Sequence, residues 1–184
     1  MSRETFAILG AGQAGARFAE ALRQGGSAAR ILLIGEEAAP PYERPPLSKE
    51  VLGGGDAPAI GGGAAHWRGL DVEWLPDTRI TAIDRVARRL RAADGAAIGY
   101  DRLVIATGSR ARRLAFPQAG IPVLALRTAE DALALRAALL PGRRLLLAGG
   151  GVIGLEVAAS AAALGCQAVV AEAAPRLLAR GAPA

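Results

Sequence analysis

The chain has 184 residues, 52% of them apolar, and a formal net charge of +5. That length fits one ordinary domain or two small ones, and the sequence holds no uncharged apolar run of about 18 residues that could cross a membrane. Lysine and arginine total 22, with Lys49 the only lysine; the arginines lie among alanine and glycine without interleaved aromatics, which argues against stacking on nucleic-acid bases and for a solvated surface open to an acidic protein.

The opening MSRETFAILGAG runs straight into a strand and a glycine turn, which leaves no room for a signal peptide and makes the cytoplasm the expected compartment. One cysteine, Cys166, rules out a disulfide framework or a CxxC redox pair. Placed between Gly165 and an apolar strand, it reads as a small buried side chain. No metal ligands are assigned.

In chain order, TFAIL (5–9) is a strand that leads through Gly10-Ala11-Gly12-Gln13-Ala14-Gly15 into an alanine-rich amphipathic helix stopped by Gly25-Gly26. ILLI (31–34) is the next strand, and Glu36 follows Gly15 by 21 residues, close to the spacing of a ribose-binding acid. Gly10 permits the tight turn, Gly12 lets a pyrophosphate approach the backbone, and Gly15 lets helix and strand pack closely. The helix start then offers free N–H groups and a partial positive charge to the phosphates.

A plain βαβ unit would soon start another helix. Instead the chain reads GEEAAPPYERPPLSKEVL (35–52), a loop stiffened by Pro40, Pro41, Pro45 and Pro46 that carries Arg44 and Lys49. LSKEVL reads as a short helical turn, and GGGDAPAIGGG (53–63) as a mobile surface loop. His66 and Trp67 carry no functional assignment. VEWL (72–75), TRITAID (78–84), RRLRAA (88–93), an Asp94-Gly95 hairpin turn and RLVIATG (102–108) together read as a β-meander in place of a crossover helix.

A linker with Pro117 and Pro122 follows, then a helix capped by Thr128 and Asp131, running to about Leu140 and ended by Pro141-Gly142. The opening pattern then returns. LLLA (145–148) leads into Gly149-Gly150-Gly151-Val152-Ile153-Gly154, LEVAASAAAL is helical, and QAVVAE (167–172) is a strand that ends in Glu172, 18 residues after Gly154. Two complete fingerprints imply two dinucleotides, and an acid at Glu172 with no arginine directly beside it favours NAD over its 2′-phosphorylated form. The expected fold is α/β: a Rossmann-like FAD-binding βαβ with a β-meander over residues 1–113, then the first βαβ of a second, NAD-binding Rossmann-like domain over 114–184.

The order GxGxxG, acid, PYERPPLSK, TRITAID, ATGSRARRL, GGGVIGLE, acid resembles the FAD-dependent pyridine nucleotide oxidoreductases, in particular the ferredoxin or rubredoxin reductase branch. The resemblance implies FAD on Gly10, Gly12, Gln13, Ala14 and Gly15, with Glu36 and Glu37 at its ribose. It implies further FAD contacts from Arg44, Lys49, the Ile80 backbone, Ala106, Thr107, Gly108 and Arg112. Gly149, Gly151, Val152, Ile153, Gly154 and Glu172 would hold NAD. Lys49 and Glu156 are the implied catalytic pair, an ammonium near the flavin ring that favours hydride arrival electrostatically and a carboxylate that orients it.

Each of these residues also has a plainer reading. Lys49 fits a surface charge on a helical turn, Arg44 an exposed arginine among prolines, and Glu156 a first-turn acid facing the helix dipole.

The activity implied is transfer of electrons from NADH through FAD, singly, to an acidic ferredoxin or rubredoxin. Alternatives are the flavin domains of a nitrite reductase-type enzyme and a non-catalytic FAD/NAD-binding module of apoptosis-inducing-factor type. The segment after the second strand offers Ser48 and Lys49 where other branches carry redox cysteines, so thiol chemistry is not expected. Family members extend past the point matching Ala184, so the resemblance implies a front portion that holds FAD weakly and turns over little alone.

Overall fold

The structure is a computed structural model and describes residues 3–112, 120–179 and 181. It divides into two compact units: Met1–Glu43 with Pro58–Ser109, and Arg44–Ala57 with Arg110–Ala184. The linker residue Pro117 and the expected boundary at 113 fall outside the described residues.

The first unit is built on strand β1 (Thr5–Leu9), helix α1 (Gln13–Gln24) and strand β2 (Arg30–Ile34), with β1 and β2 parallel and Leu9 opposite Ile34. Helix α2 (Ala64–Gly69) and strand β3 (Val72–Leu75) follow. Strands β4 (Ile80–Asp84), β5 (Arg89–Ala92) and β6 (Ala97–Gly99) form an antiparallel sheet, and β7 (Arg102–Ile105) returns to the parallel one. The four-stranded parallel sheet has the order β3-β2-β1-β7.

Both faces of that sheet are covered, so its central strands are apolar throughout and not alternating. Ile8, Ile31 and Leu33 point to one side, where they pack with Ala16, Ala19, Ile60, Trp67 and Val72. Ala7, Leu32 and Ile34 point to the other and meet Leu90 of the antiparallel sheet. The period of two in the backbone sorts neighbouring residues into these separate clusters.

The expected meander is therefore present but smaller than its sequence reading. VEWL and RLVI leave it to become parallel partners of β2 and β1. The hairpin at Asp94-Gly95 joins β5 to β6, a three-residue strand with no apolar run of its own. The glycine-rich stretch 53–63 is also corrected. Its second half is anchored, because Glu43 N–H donates to Pro58 O, Ile60 N–H donates to Pro41 O at 2.7 Å, and Ile60 is 2% exposed in the core.

The second unit holds a 3-10 turn (Pro45–Ser48), helix α3 (Ala129–Ala138), strand β8 (Arg144–Ala148), helix α4 (Val152–Ala163) and strand β9 (Gln167–Ala171). β8 and β9 are parallel. Thr128 and Asp131 close a reciprocal capping box on α3, which ends at Ala138. Cys166 is buried, its Sγ donating to Leu140 O at 3.2 Å. Among the described residues no helix is long and apolar enough to cross a membrane.

Candidate functional site: two glycine turns and a lysine–glutamate pair

In the first unit the turn Gly10–Gly15 sits at the C-terminal end of β1. Gly10 has φ +116°, which only glycine adopts without strain. Its N–H donates to Ile34 O at 2.9 Å, tying the turn to the end of β2. A Cβ on Gly10 would collide with Ala106 O, and a Cβ on Gly15 with Gly10 O, both closer than 3.0 Å. These two glycines are therefore required by the protein's own packing. Gly12 is different, because a Cβ there meets no protein atom within 4 Å.

No described residue demands a glycine at the N-cap of α1, and the position leaves room for a group brought up to the helix start. That helix has no side-chain cap and no acid in its first turn, so the N–H groups of Gln13, Ala14 and Gly15 and the positive dipole end face that group. A pyrophosphate fits these features.

The same end of the sheet gathers those of the residues assigned to the first nucleotide that belong to this unit; Arg44, Lys49 and Arg112 belong to the second unit. Ala106 N–H donates to Leu9 O at 2.7 Å, so Ala106, Thr107 and Gly108 (φ +70°) lie beside the glycine turn. Gly35 N–H donates to Leu75 O and Thr78 N–H to Gly35 O at 2.7 Å, which brings Thr78, Arg79 and Ile80 alongside Glu36 and Glu37. Glu36 is exposed and pairs with Arg79 at 3.5 Å. Glu37 accepts the Tyr42 hydroxyl at 2.6 Å. Arg79 and Tyr42 escaped the sequence reading because both act on an acid through pairings set by the fold.

The second unit repeats the turn. Gly149 has φ +113°, its N–H donates to Ala171 O at 2.8 Å, and a Cβ on Gly154 would strike Gly149 O. Gly151, the N-cap of α4, again has open space where a Cβ would go, while Val152 and Ile153 are exposed in the first turn. Glu172 folds back on the turn: one carboxylate oxygen accepts Gly150 N–H at 2.6 Å, the other Ala174 N–H at 2.7 Å.

Also within the second unit, Lys49 follows the 3-10 turn, and its Nζ lies 3.3 Å from Glu156 Oε1 on α4 and 2.9 Å from Pro45 O. Ser48 donates its hydroxyl to Glu156 Oε2 at 2.5 Å. The Ser48 hydroxyl is the main cause holding the Glu156 carboxyl below its usual range; partial burial opposes it and the Lys49 ammonium adds to it. Arg44 donates to Arg127 O at 2.5 Å, and Arg112 is exposed. Sequence reasoning noted Ser48 only as standing where other branches carry a redox cysteine, and missed both its contact with Glu156 and Ser160, whose hydroxyl donates to Ser48 O at 2.8 Å, because these partners lie more than 100 residues apart.

Two βαβ units, each opened by such a turn, are the architecture of dinucleotide-binding proteins. The chain belongs to the pyridine nucleotide-disulphide oxidoreductase family, whose model it matches over residues 4–184. It is 46% identical over its whole length to the anthranilate 1,2-dioxygenase system ferredoxin–NAD(+) reductase component of Burkholderia cepacia, covering 46% of that protein. It is 44% identical to the benzene 1,2-dioxygenase system ferredoxin–NAD(+) reductase subunit of Pseudomonas putida, with 95% of this chain and 43% of that one aligned.

Among solved structures, the ferredoxin reductase for the CYP199A2 system from Rhodopseudomonas palustris matches with a TM-score of 0.90 and 42% identity, over 96% of this chain and 44% of that one. The reductase chain of a covalent putidaredoxin reductase–putidaredoxin complex matches with a TM-score of 0.86 and 34% identity, over 98% and 45%. The chain thus spans under half the length of the relatives it matches.

Proposed function

We propose that the chain is the nucleotide-binding front portion of an FAD-containing, NADH-dependent reductase that delivers electrons to an acidic ferredoxin or rubredoxin in the cytoplasm. The observation that carries this reading is the paired glycine geometry: Gly12 and Gly151 cap two helices at positions where the protein's own packing asks for no glycine. The names of the dioxygenase-system relatives support the choice of acceptor.

In this reading Gly10–Gly15, Glu36, Glu37, the Ile80 backbone and Ala106–Gly108 bind FAD, with Arg44 and Arg112 as further contacts. Gly149–Gly154 and Glu172 bind NADH. Bound FAD supplies the acceptor for the two electrons and one proton of the NADH hydride, and the store from which two one-electron acceptors are each reduced. Lys49 supplies positive charge for the electron-rich ring, and Glu156 orients that ammonium.

The test is anaerobic addition of NADH to the protein reconstituted with FAD. Bleaching of the bound yellow flavin, followed by reduction of a ferredoxin, is the expected result. Protein that stays colourless with excess FAD, or flavin that stays oxidised with NADH, would overturn the reading for this chain.

A further inference from the structure

We propose that Ser48 is the positioning residue of the Lys49–Glu156 pair: its hydroxyl fixes the Glu156 carboxylate, and Ser160 fixes the Ser48 backbone, so that the Lys49 ammonium is held in one place. The functional half of this inference rests on the reading of Lys49 given above.

Glu156 and Ser160 are four residues apart on α4 and therefore share one face of the helix. Ser48, 4% exposed, lies against that face and touches both residues. Its single hydroxyl proton has two acceptors in reach, Glu156 Oε2 at 2.5 Å and Pro45 O at 3.4 Å, and the shorter bond to a charged oxygen takes it. The Ser48 carbonyl is held in turn by the Ser160 hydroxyl at 2.8 Å. Backbone and side chain of one serine thus lock the 3-10 turn to α4 at two points.

This lock bears on Lys49 because the ion pair alone is weak. At 3.3 Å, with the lysine side chain 42% exposed, a lone ion pair of this kind contributes little and leaves a flexible side chain free to turn. Pinning one carboxylate oxygen removes the rotation that would let Glu156 follow the lysine. Of the three ammonium donors, one meets Glu156 and one meets Pro45 O, and the third points to neither. That third donor is the one available to a ligand.

Lys49 is the charged group that faces Glu156 from the 3-10 turn. Glu156 is the only titratable residue of α4, β9 has none, and β8 has only Arg144, exposed at its first position. A change in Glu156 titration can therefore be assigned to Ser48 or Lys49.

Two measurements test the proposal. In the cofactor-free chain, carbon NMR of labelled glutamate should show the Glu156 midpoint move up toward its ordinary value in Ser48→Ala and stay near wild type in Ser48→Thr, which keeps the hydroxyl. In the FAD-loaded protein, Ser48→Ala should slow flavin reduction by NADH roughly tenfold and raise the acid limb of its pH profile, with Ser48→Thr restoring both. Should Ser48→Ala not fold, Ser160→Ala, which leaves the carboxylate contact intact, should slow reduction in the same direction.

An unmoved Glu156 midpoint, equal losses in the alanine and threonine variants, or an unchanged rate in Ser160→Ala would each overturn the proposal. If Lys49→Ala leaves flavin reduction intact while Ser48→Ala still moves the midpoint, the role given to Lys49 fails and the hold of Ser48 on Glu156 stands.

Discussion

Gly15 lies against the carbonyl oxygen of Gly10 so closely that a single added carbon would overlap it, whereas Gly12, between them, faces open space. This separates packing from ligand binding within one turn. Gly15→Ala gains up to about 1 kcal/mol in helix propensity, but forces a methyl into a backbone carbonyl that cannot move without shifting the turn, at about 1–3 kcal/mol. The net expectation is a lower denaturation midpoint in the cofactor-free chain. Gly12 has φ −87° and ψ −171°, which alanine tolerates, so Gly12→Ala should cost at most about 1 kcal/mol as a poorer cap. It should nonetheless bind FAD more weakly than the wild-type chain in a fluorescence titration. Stability losses of the same size in both variants, with FAD bound equally, would refute this division.

Glu20 on α1 is nearly buried and accepts hydrogen bonds from Arg17 at 2.8 Å while contacting His66 Nε2 at 2.9 Å. Burial pushes its carboxyl up, but the Arg17 and His66 contacts together outweigh burial and hold it below the ordinary 4.5. A folded-state value below the unfolded one means the ionised group stabilises the fold above about pH 4.5, and that contribution is lost as pH falls through the lower folded value. Glu20→Gln should therefore destabilise the chain by about 1–3 kcal/mol at pH 7. The gap to wild type should close as pH drops well below 4.5. Urea titrations across pH check this, and a gap independent of pH would show that the charge is not what stabilises.

What the sequence revealed and what it hid follow from the range of the interactions. Strand, glycine turn, helix and strand lie within about 30 residues twice over, and each is dictated by local pattern, so both βαβ units could be read directly. The assignment of β3 and β7 to the parallel sheet is set by hydrogen bonds to β2 and β1, which leave no local mark on VEWL or RLVI. Helix α2 is only six residues long, too short to show a period, and follows three glycines. At the candidate site the glycines and acids stand out by spacing, while Ser48 and Ser160 are ordinary serines until the fold brings the loop onto α4.

On the paired strands β8 and β9, Leu146 and Val169 are directly opposite each other and 71% and 53% exposed. Side by side on one face of a sheet that has two strands among the described residues, they form an apolar patch next to strand edges, a combination that promotes association. The chain should show concentration-dependent self-association in sedimentation velocity. The double substitution Leu146→Lys and Val169→Glu, which sets opposite charges across the pair, should abolish it at a stability cost within about 0.5 kcal/mol because neither side chain is in the core. A wild-type chain that stays monomeric across the concentration range would contradict the role given to this face.

Trp67 sits on α2, is fully buried, and packs with Ile8, Ile31, Leu33 and Ile60, so it closes the helix-covered face of the parallel sheet. Its ring meets His66 edge to face at 4.9 Å. Trp67→Ala should cost about 3–5 kcal/mol, the usual loss for a fully buried large aromatic. Its indole N–H, however, has no hydrogen-bond partner among the described residues. A buried unpaired donor carries a desolvation cost of about 1–3 kcal/mol. Trp67→Phe removes that donor while keeping most of the packed ring, so the two effects oppose each other and the net cost should be under half that of the alanine variant. Circular dichroism is the suitable probe for these denaturant titrations, since the chain has only two tryptophans and the substitution removes one reporter. A phenylalanine variant as unstable as the alanine one would mean that the indole N–H does have a partner, and that the donor is part of what holds α2 on the sheet.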